Sequence, residues 1–591
     1  MSILKRSILF LTCIVFAYST KAQDTSSNKD ERVFKKLELQ EIVGKPFTDN
    51  RSHSNIIELG DQGYWSYSST VRLIGLLTTR HKVRHVVFAK RYDKKMNLVV
   101  EKRVRLPYKT YKIKDFHGIR KVGEEFYILF TIVDKKRKKE NLYAALFDPI
   151  ELEMEEKPRI IASVRFKKLK TYTRSEFEIK SSKNSEYLMV TGISSKKRRK
   201  IRKIYSSEFR GFDKIERPVL KSTFWVFDES MRKVNYRKNY KVTVKDSKDI
   251  FYVDQMELDS KGNVYFLAKK LIVKKIKRSK SKRSKIKWEN ILTKAEFVIE
   301  KLGVDGDTLK YVSKGNEYLM DVRILIDNQE RVQLMTYFGE RSYNRLVGTG
   351  LRHTIFNKRD LTESKVVETA FDPKVLLAVN DTIEFKNELS ERNLKIMEMR
   401  KKKVKQKAKS KADKVFNERS KDAALRMNFI SYFNIDKNDN AYAAVEEYRH
   451  RVVTKKYTDA NGNSYTTTTH YYDYNDFILT RFIGDSLRQE YLKKQETYVN
   501  KRRSGFFRSY IQDDGDLQLV IKNDIYVFDS KIENIRKATP KILNSSSHLD
   551  VKPKKYRVKV LGVLKGGDVM YLMYNVKWFN HNYALARVKV E

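Results

Sequence analysis

The stretch from Phe251 to Lys270 sets the pattern on which the chain is built: an apolar run, a polar turn and a second apolar run. Val253 to Leu258 and Val264 to Ala268 are rich in strand formers, and Asp259-Ser260-Lys261-Gly262-Asn263 between them has the composition of a tight turn. In the second run Val264, Phe266 and Ala268 fall on one face of a strand and Tyr265 and Leu267 on the other, so both faces are apolar. An antiparallel hairpin buried on both sides must lie between other sheets, which radially stacked blades supply and a one-sided sheet does not.

The plan recurs. Turn signals stand at Gly60-Asp61-Gln62-Gly63, Gly123-Glu124-Glu125, Lys183-Asn184-Ser185, Asp259 to Asn263, Asp327-Asn328-Gln329, Asp436 to Asn440, Asp513-Asp514-Gly515 and Lys565-Gly566-Gly567-Asp568. Each is followed by a later strand, often closed by Phe-Asp, as in Phe224 to Asp228 and Ile525 to Asp529. Most spacings run from about 50 to 80 residues, longer than the roughly 40 to 50 of common propeller repeats. The expected fold is therefore all-β: a propeller of seven or eight four-stranded blades, the compressed unit at Asp513 leaving the count open. The last unit ends on its third strand, so residues 32–43 (RVFKKLELQEIV) are expected to complete it and close the ring.

Two intervals depart from the plan. Between Asp327 and Asp436 lies a stretch from Thr382 to Met427 that lacks Gly and Pro after Asn387 and has a loosely amphipathic face, which predicts one long helical insertion. In the sixth unit Asn461-Gly462 sits between Thr- and Tyr-rich arms, the signature of a long projecting hairpin.

The first 22 residues read as an export signal: Lys5 and Arg6, an apolar core from Ile8 to Ala17, then Ala22 before Gln23. That core is too short to span a bilayer, and no later run is apolar and long enough, so the expected product is exported with no transmembrane segment after cleavage. The layout is then a signal at 1–22, an N-terminal segment at 23–50 and the propeller with its insertion at 51–591. Cys13, inside the signal, is the only cysteine, so stability must come from core burial rather than disulfides.

With those residues in view, the chain resembles the extracytoplasmic β-propeller proteins of Gram-negative bacteria, many of them uncharacterised. The likeness rests on Lys21-Ala22-Gln23, on Asp259 to Leu267 and on Phe224 to Asp228 and Tyr526 to Asp529. It implies a fold and an exported location, in the periplasm, at the outer surface or beyond, and it supplies no catalytic residue. There is no WD dipeptide, kelch Gly-Gly series or regular calcium loop.

Charge changes the functional picture. The chain has 124 Lys and Arg against 74 Asp and Glu, a net +50, and the signal removes only three basic residues from it. Basic runs fall repeatedly between the second and third strands of a unit: Lys135, Lys136, Arg137, Lys138 and Lys139; Lys196, Lys197, Arg198, Arg199 and Lys200; and Lys274, Lys275, Lys277, Arg278, Lys280, Lys282 and Arg283. Arg80 to His85 and Arg449 to Lys456 repeat the placement. In a four-stranded antiparallel blade that connection always emerges on one side of the ring. With sheets about 10 Å apart and a Debye length of about 8 Å, neighbouring runs are expected to share a field that attracts polyanions. The partners this favours are anionic polysaccharide, lipopolysaccharide or another envelope component, with no sequence-specific nucleic acid because no reading helix or RNA-binding aromatic signature is present.

The leading expectation is a non-catalytic binding or scaffold protein. A lyase or hydrolase acting on acidic polysaccharide is the rival, and a structural part of an envelope machine is the third reading. The enzyme reading requires carboxylates, or a Tyr-His pair such as His470 with Tyr471 and Tyr472, to meet near the ring axis. No G-x-S-x-G elbow is present, His81 and His85 lack a nearby carboxylate, and no cofactor or metal is expected. Asp436, Asn438, Asn440 and Glu447 have EF-hand spacing, but Ala441 replaces the required Gly and a β-turn is expected. Trp65 and Trp288 are candidates for sugar stacking, whereas mid-strand Trp225 is expected in the core.

Overall fold

Eight sheets follow one another along the chain in the computed structural model, and each takes antiparallel strands in sequence order, apart from the N-terminal strands that join the last two. The structure describes residues 35–590 apart from 44, 46, 50–51, 54–55, 75–81, 107–112, 135, 156, 166–176, 194–221, 243–251, 279–286, 314–317, 343–344, 373–426, 459–463, 485, 493–495, 500–507, 522–523, 533, 542–555, 565 and 576–580. The expected signal at 1–22 and the expected helical insertion at 382–427 lie outside the described residues, apart from Met427, which begins a strand.

Blade 4 shows how sequence becomes sheet. Tyr252–Leu258 pairs with Val264–Arg278, which pairs with Lys287–Leu302, which pairs with Thr308–Val312. Phe266, Val264 and Ala268 pack on Phe224 and Val226 of blade 3, while Tyr265 and Leu267 pack on Val322, Ile324 and Leu334 of blade 5. The two-sided apolar pattern is thus explained: each second strand serves two inter-blade cores. Eight such cores occur, one per junction, and the eighth joins Tyr64, Tyr92 and Met96 of blade 1 to Met570, Leu572 and Leu585 of blade 8. The fold is an eight-bladed β-propeller. Each fully buried aliphatic or aromatic side chain contributes about 1.5–3 kcal/mol, and these junctions do the work that disulfides do elsewhere. Trp65, fully buried between blades 1 and 2 beside Phe126 and Phe147, belongs to this core and is not available to stack sugars; Trp225 is likewise buried.

The unit at Asp513 is a blade of its own, with strands Arg508–Ile511, Leu517–Ile521, Asp524–Phe528 and Ile535–Ala538. Leu39–Val43 lies antiparallel to His581–Val590 as the outer strand of blade 8, and Lys35–Lys36 runs parallel to Ile535–Ala538 on blade 7. Leu37 between them is buried in the core of blades 7 and 8. The N-terminal segment is therefore a strap across two blades.

Six of the turns between first and second strands share one geometry. The residue that opens the turn donates its N–H to the carbonyl four residues on and accepts from the N–H three residues on, as at Leu59, Asp259, Asp327, Asp436, Gln512 and Leu564. In five of the six the fourth residue is left-handed, which Gly262 (φ 83°), Gly515 (φ 90°) and Gly567 (φ 92°) adopt without cost and Glu330 (φ 63°) and Asp439 (φ 64°) at about 1–2 kcal/mol. Turns between third and fourth strands place Met96, Met231, Leu361 and Ile532 in the same conformation, each with its side chain buried in an inter-blade core. In these outer turns apolar burial offsets backbone strain.

Candidate functional site

Strand alternation puts every first-to-second and third-to-fourth turn at one end of the ring and every second-to-third connection at the other. The turns are short throughout, but the connections are not. Blade 4 extends its second and third strands to Val264–Arg278 and Lys287–Leu302, and blade 6 extends its own to Ala441–Thr458 and Ser464–Ile483. At about 3.3 Å per residue, a 20-residue strand reaches about 65 Å, whereas the five-residue strands of blade 7 reach about 17 Å. Two β-ribbon arms therefore project from the same end, with blade 5 between them.

The described parts of the basic runs map onto this end in a way that sequence had only partly anticipated. Lys274, Lys275, Lys277 and Arg278 were expected in a loop, but they lie within the second strand, paired in register with Ile291, Asn290, Trp288 and Lys287. Interspersed apolar residues, Ile272, Val273 and Ile276, carry the strand through the charge. Arg449 to Lys456 is likewise strand, with Arg449 opposite Asp473 and Arg451 opposite Tyr471. Lys136, Arg137 and Lys138 are exposed in the tight turn from Glu125–Asp134 to Lys139–Asp148 in blade 2, and Lys139 is half-buried. Lys135, Lys196, Lys197, Arg198, Arg199, Lys200, Lys280, Lys282 and Arg283 lie outside the described residues.

Near the far end of the blade 6 arm, Tyr457 and Tyr465 are cross-strand partners whose rings stack at 5.4 Å and 20°. They are 43% and 55% exposed, which is uncommon for paired aromatics and leaves flat ring surface open to a ligand.

At the foot of the arms the sheets are joined by charge. Lys269 Nζ, where the second strand of blade 4 leaves the blade body, sits 2.8 Å from Asp254 Oδ2 and 3.1 Å from Asp321 Oδ1. Asp254 belongs to the first strand of blade 4, and Asp321 to the first strand of blade 5, Tyr318–Ile326. Asp321 also takes the Val322 N–H at 2.9 Å, the Ile430 N–H of blade 6 at 3.1 Å and the Arg323 guanidinium at 3.4 Å. Burial pushes the Asp321 carboxyl up, but Arg323, Lys269 and the Val322 N–H outweigh it and hold the group below its ordinary value. With both oxygens engaged from three blades, Asp321 is a clamp rather than a base with a lone pair to offer a substrate. Sequence reasoning missed it; the available signal was a single acid inside the otherwise strand-forming run YLMDVRILI.

His470 and Tyr472 have rings 6.4 Å apart and nearly parallel in the third strand of blade 6. Asp436 opens an ordinary turn, accepting the Asn438 and Asn440 N–H groups, so the EF-hand spacing is a β-turn as expected. Among the described residues no group of three or more His, Cys, Asp or Glu side chains is placed to hold a metal, and no helix is long and apolar enough to cross a membrane.

No family model matches the chain, and no curated protein matches it. Solved structures similar to it include the β-propeller domain of the Trilobed protease from Pyrococcus furiosus, at 11% identity over 75% of this chain and 96% of that one, with a TM-score of 0.23. The Dos1 propeller is similar at 7% identity over 80% and 92% (TM-score 0.26), and glycoside hydrolase family 32 from Bifidobacterium adolescentis at 7% over 93% and 81% (TM-score 0.21). The strand order and the eight junction cores, not these overall likenesses, define the fold.

Proposed function

We propose that this chain is an exported binding or scaffold propeller whose arm-bearing end engages anionic polysaccharide. The observation that carries the reading is the register of the blade 4 arm, which makes Lys274, Lys275, Lys277 and Arg278 part of a paired ribbon instead of an unpaired loop. Cations on an ordered strand lose less conformational freedom on binding than cations on a free loop, so more of their attraction survives as affinity. The exposed Tyr457–Tyr465 pair favours sugar rings over bare phosphate, because a ring face stacks on tyrosine and a phosphate does not.

The arms stand two blades apart, which at about 10 Å per sheet spacing separates their feet by about 20 Å, beyond the Debye length of about 8 Å. Their fields do not merge as expected for adjacent loops. A long polymer bridging both arms gains by effective concentration, and a short oligomer does not.

The test is retention on immobilised heparin and on polyphosphate across a salt gradient. The expected result is elution from heparin well above physiological salt, tighter retention of longer heparin fragments, and earlier elution when Lys274, Lys275, Lys277 and Arg278 are all changed to Gln. Elution at low salt, or retention indifferent to the quadruple change, overturns the reading.

A further inference from the structure

A cleft of about 280 Å³ opens at the opposite end, between blades 5 and 6. Its walls include Arg331, His353, Ser364 and Lys365 of blade 5 and Asn438 and Phe482 of blade 6. His353 is only 4% exposed, and the turn of its own blade fixes its chemistry. Asp327 accepts from Gln333 Nε2 at 2.8 Å, which commits the amide nitrogen of Gln333 to the carboxylate and turns Oε1 toward the ring. His353 Nε2 lies 2.7 Å from that Oε1 and must therefore carry the proton. Among the described residues Nδ1 has no hydrogen-bond partner, and it is an acceptor on a side chain that lines the cleft.

An internal comparison shows that the fold does not require a histidine there. Counting eight residues from the residue that opens the inner turn, and crossing to its partner on the third strand, gives Ala89 in blade 1, Ile299 in blade 4, Leu479 in blade 6, Ile525 in blade 7 and Leu585 in blade 8. The same count in blade 5 runs from Asp327 to Met335 and across to His353. Five blades with this turn fill the position with an apolar side chain, and one buries an imidazole beside a cleft. Burying a polar group with an open acceptor is unfavourable unless something bonds to it.

We infer that this cleft binds a small polyhydroxylated ligand the size of a single sugar ring. An unprotonated imidazole nitrogen requires a donor, which a carboxylate or phosphate does not provide and a hydroxyl does. The Asn438 side chain offers a donor and an acceptor at the rim, and Asn440 Oδ1 is a further acceptor, its Nδ2 being used by Asp436. Phe482, whose ring is 5.6 Å from that of His353, provides an apolar wall. Hydroxyl-rich ligands match such a mixture because each hydroxyl both gives and accepts. The volume falls just below the range of drug-sized sites, roughly 300 to 1,000 Å³, and so limits the ligand to about one ring.

The site is independent of the arms and is tested without them. Saturation-transfer NMR on the whole protein is run with glucose, galactose, mannose, N-acetylglucosamine and glucuronate as probes. The result expected is a saturable signal from at least one, in the millimolar range or tighter. It disappears in Ser364→Trp, which fills the cleft from an exposed strand, and in His353→Leu, which installs the residue that blades 6 and 8 already use. Ser364→Trp keeps the test decisive should His353→Leu not fold. No saturable signal from any probe, or a signal that survives both substitutions, overturns the inference.

Discussion

The two ends of this ring use charge in opposite ways. At the turn end, charged groups are buried among partners: Asp327 takes the N–H groups of Gln329 and Arg331 and the side chains of Arg331 and Gln333. Glu330 gathers Ser260 and Lys261 from blade 4 and Lys358 from its own blade, and Arg331 pairs with Asp439 of blade 6. At the arm end the cations ride outward on ribbons beyond the body of the sheet. Charge at one end holds blades together, and charge at the other is, on the reading proposed above, what meets a polyanion. The Lys269 clamp marks the border, because it is built like the first end and sits at the foot of the second.

That contrast can be broken most forcefully at Asp327. Asp327→Ala removes one of the two carboxylates that hold Arg331 and leaves several buried donors without an acceptor at once, and is expected to cost about 3–5 kcal/mol in chemical denaturation, the usual penalty for breaking a buried ionic network. A loss below about 1 kcal/mol would show that the turn end is not held by its charges.

The next largest effect is a response to pH. Burial first, and the Lys365 charge second, depress the His353 pKa from 6.5 to about 4. Above 6.5 the ring is neutral in both folded and unfolded chains and its contribution is complete. Between 6.5 and about 4 only the unfolded chain takes up the proton, so stability is lost as pH falls, by about 3 kcal/mol in total. His353→Leu is expected to remove that slope, read from denaturation midpoints at a series of pH values.

A smaller effect attaches to Glu330. Burial raises its carboxyl, but the bonds from Lys358, Lys261 and Ser260 prevail and bring it from 4.5 down to about 2. Its stabilisation is full above 4.5 and disappears as pH drops through 2. Because Lys261 and Lys358 are largely open to solvent, Glu330→Gln at neutral pH is expected to cost only about 1–2 kcal/mol.

The smallest effect on stability belongs to the arms. Changing Lys274, Lys275, Lys277 and Arg278 to Gln is expected to move stability by no more than about 0.5 kcal/mol. The same change should flatten the salt dependence of heparin binding by about one unit of log-log slope per cation in contact. A large stability loss from this variant would erase the distinction between the two ends.

Much of the architecture could be read in advance because burial on both faces writes itself into consecutive residues, as from Val264 to Ala268. The blade count was harder, since strands as short as Leu517–Ile521 leave little room for a pattern. The arms were legible in blade 6, where Asn461-Gly462 marks a hairpin tip, and hidden in blade 4, where dense lysine outweighs the few apolar residues that keep the strand going. The clamp and the cleft were beyond reach for a different reason. Asp254, Lys269 and Asp321 come from two blades, and His353 looks like any other strand residue until the register sets it against Ile299 and Leu479.

The strap imposes an order on biosynthesis. Leu39–Val43 is translated long before its partner His581–Val590, with most of the blades made in between. During that interval the early strand has an unsatisfied edge, and pairing across so large a loop is entropically slow. Blades 2 to 6 can consolidate as they emerge, but the circle is sealed only once His581–Val590 has been made, and deleting that strand would leave the two ends of the ring without a common strand.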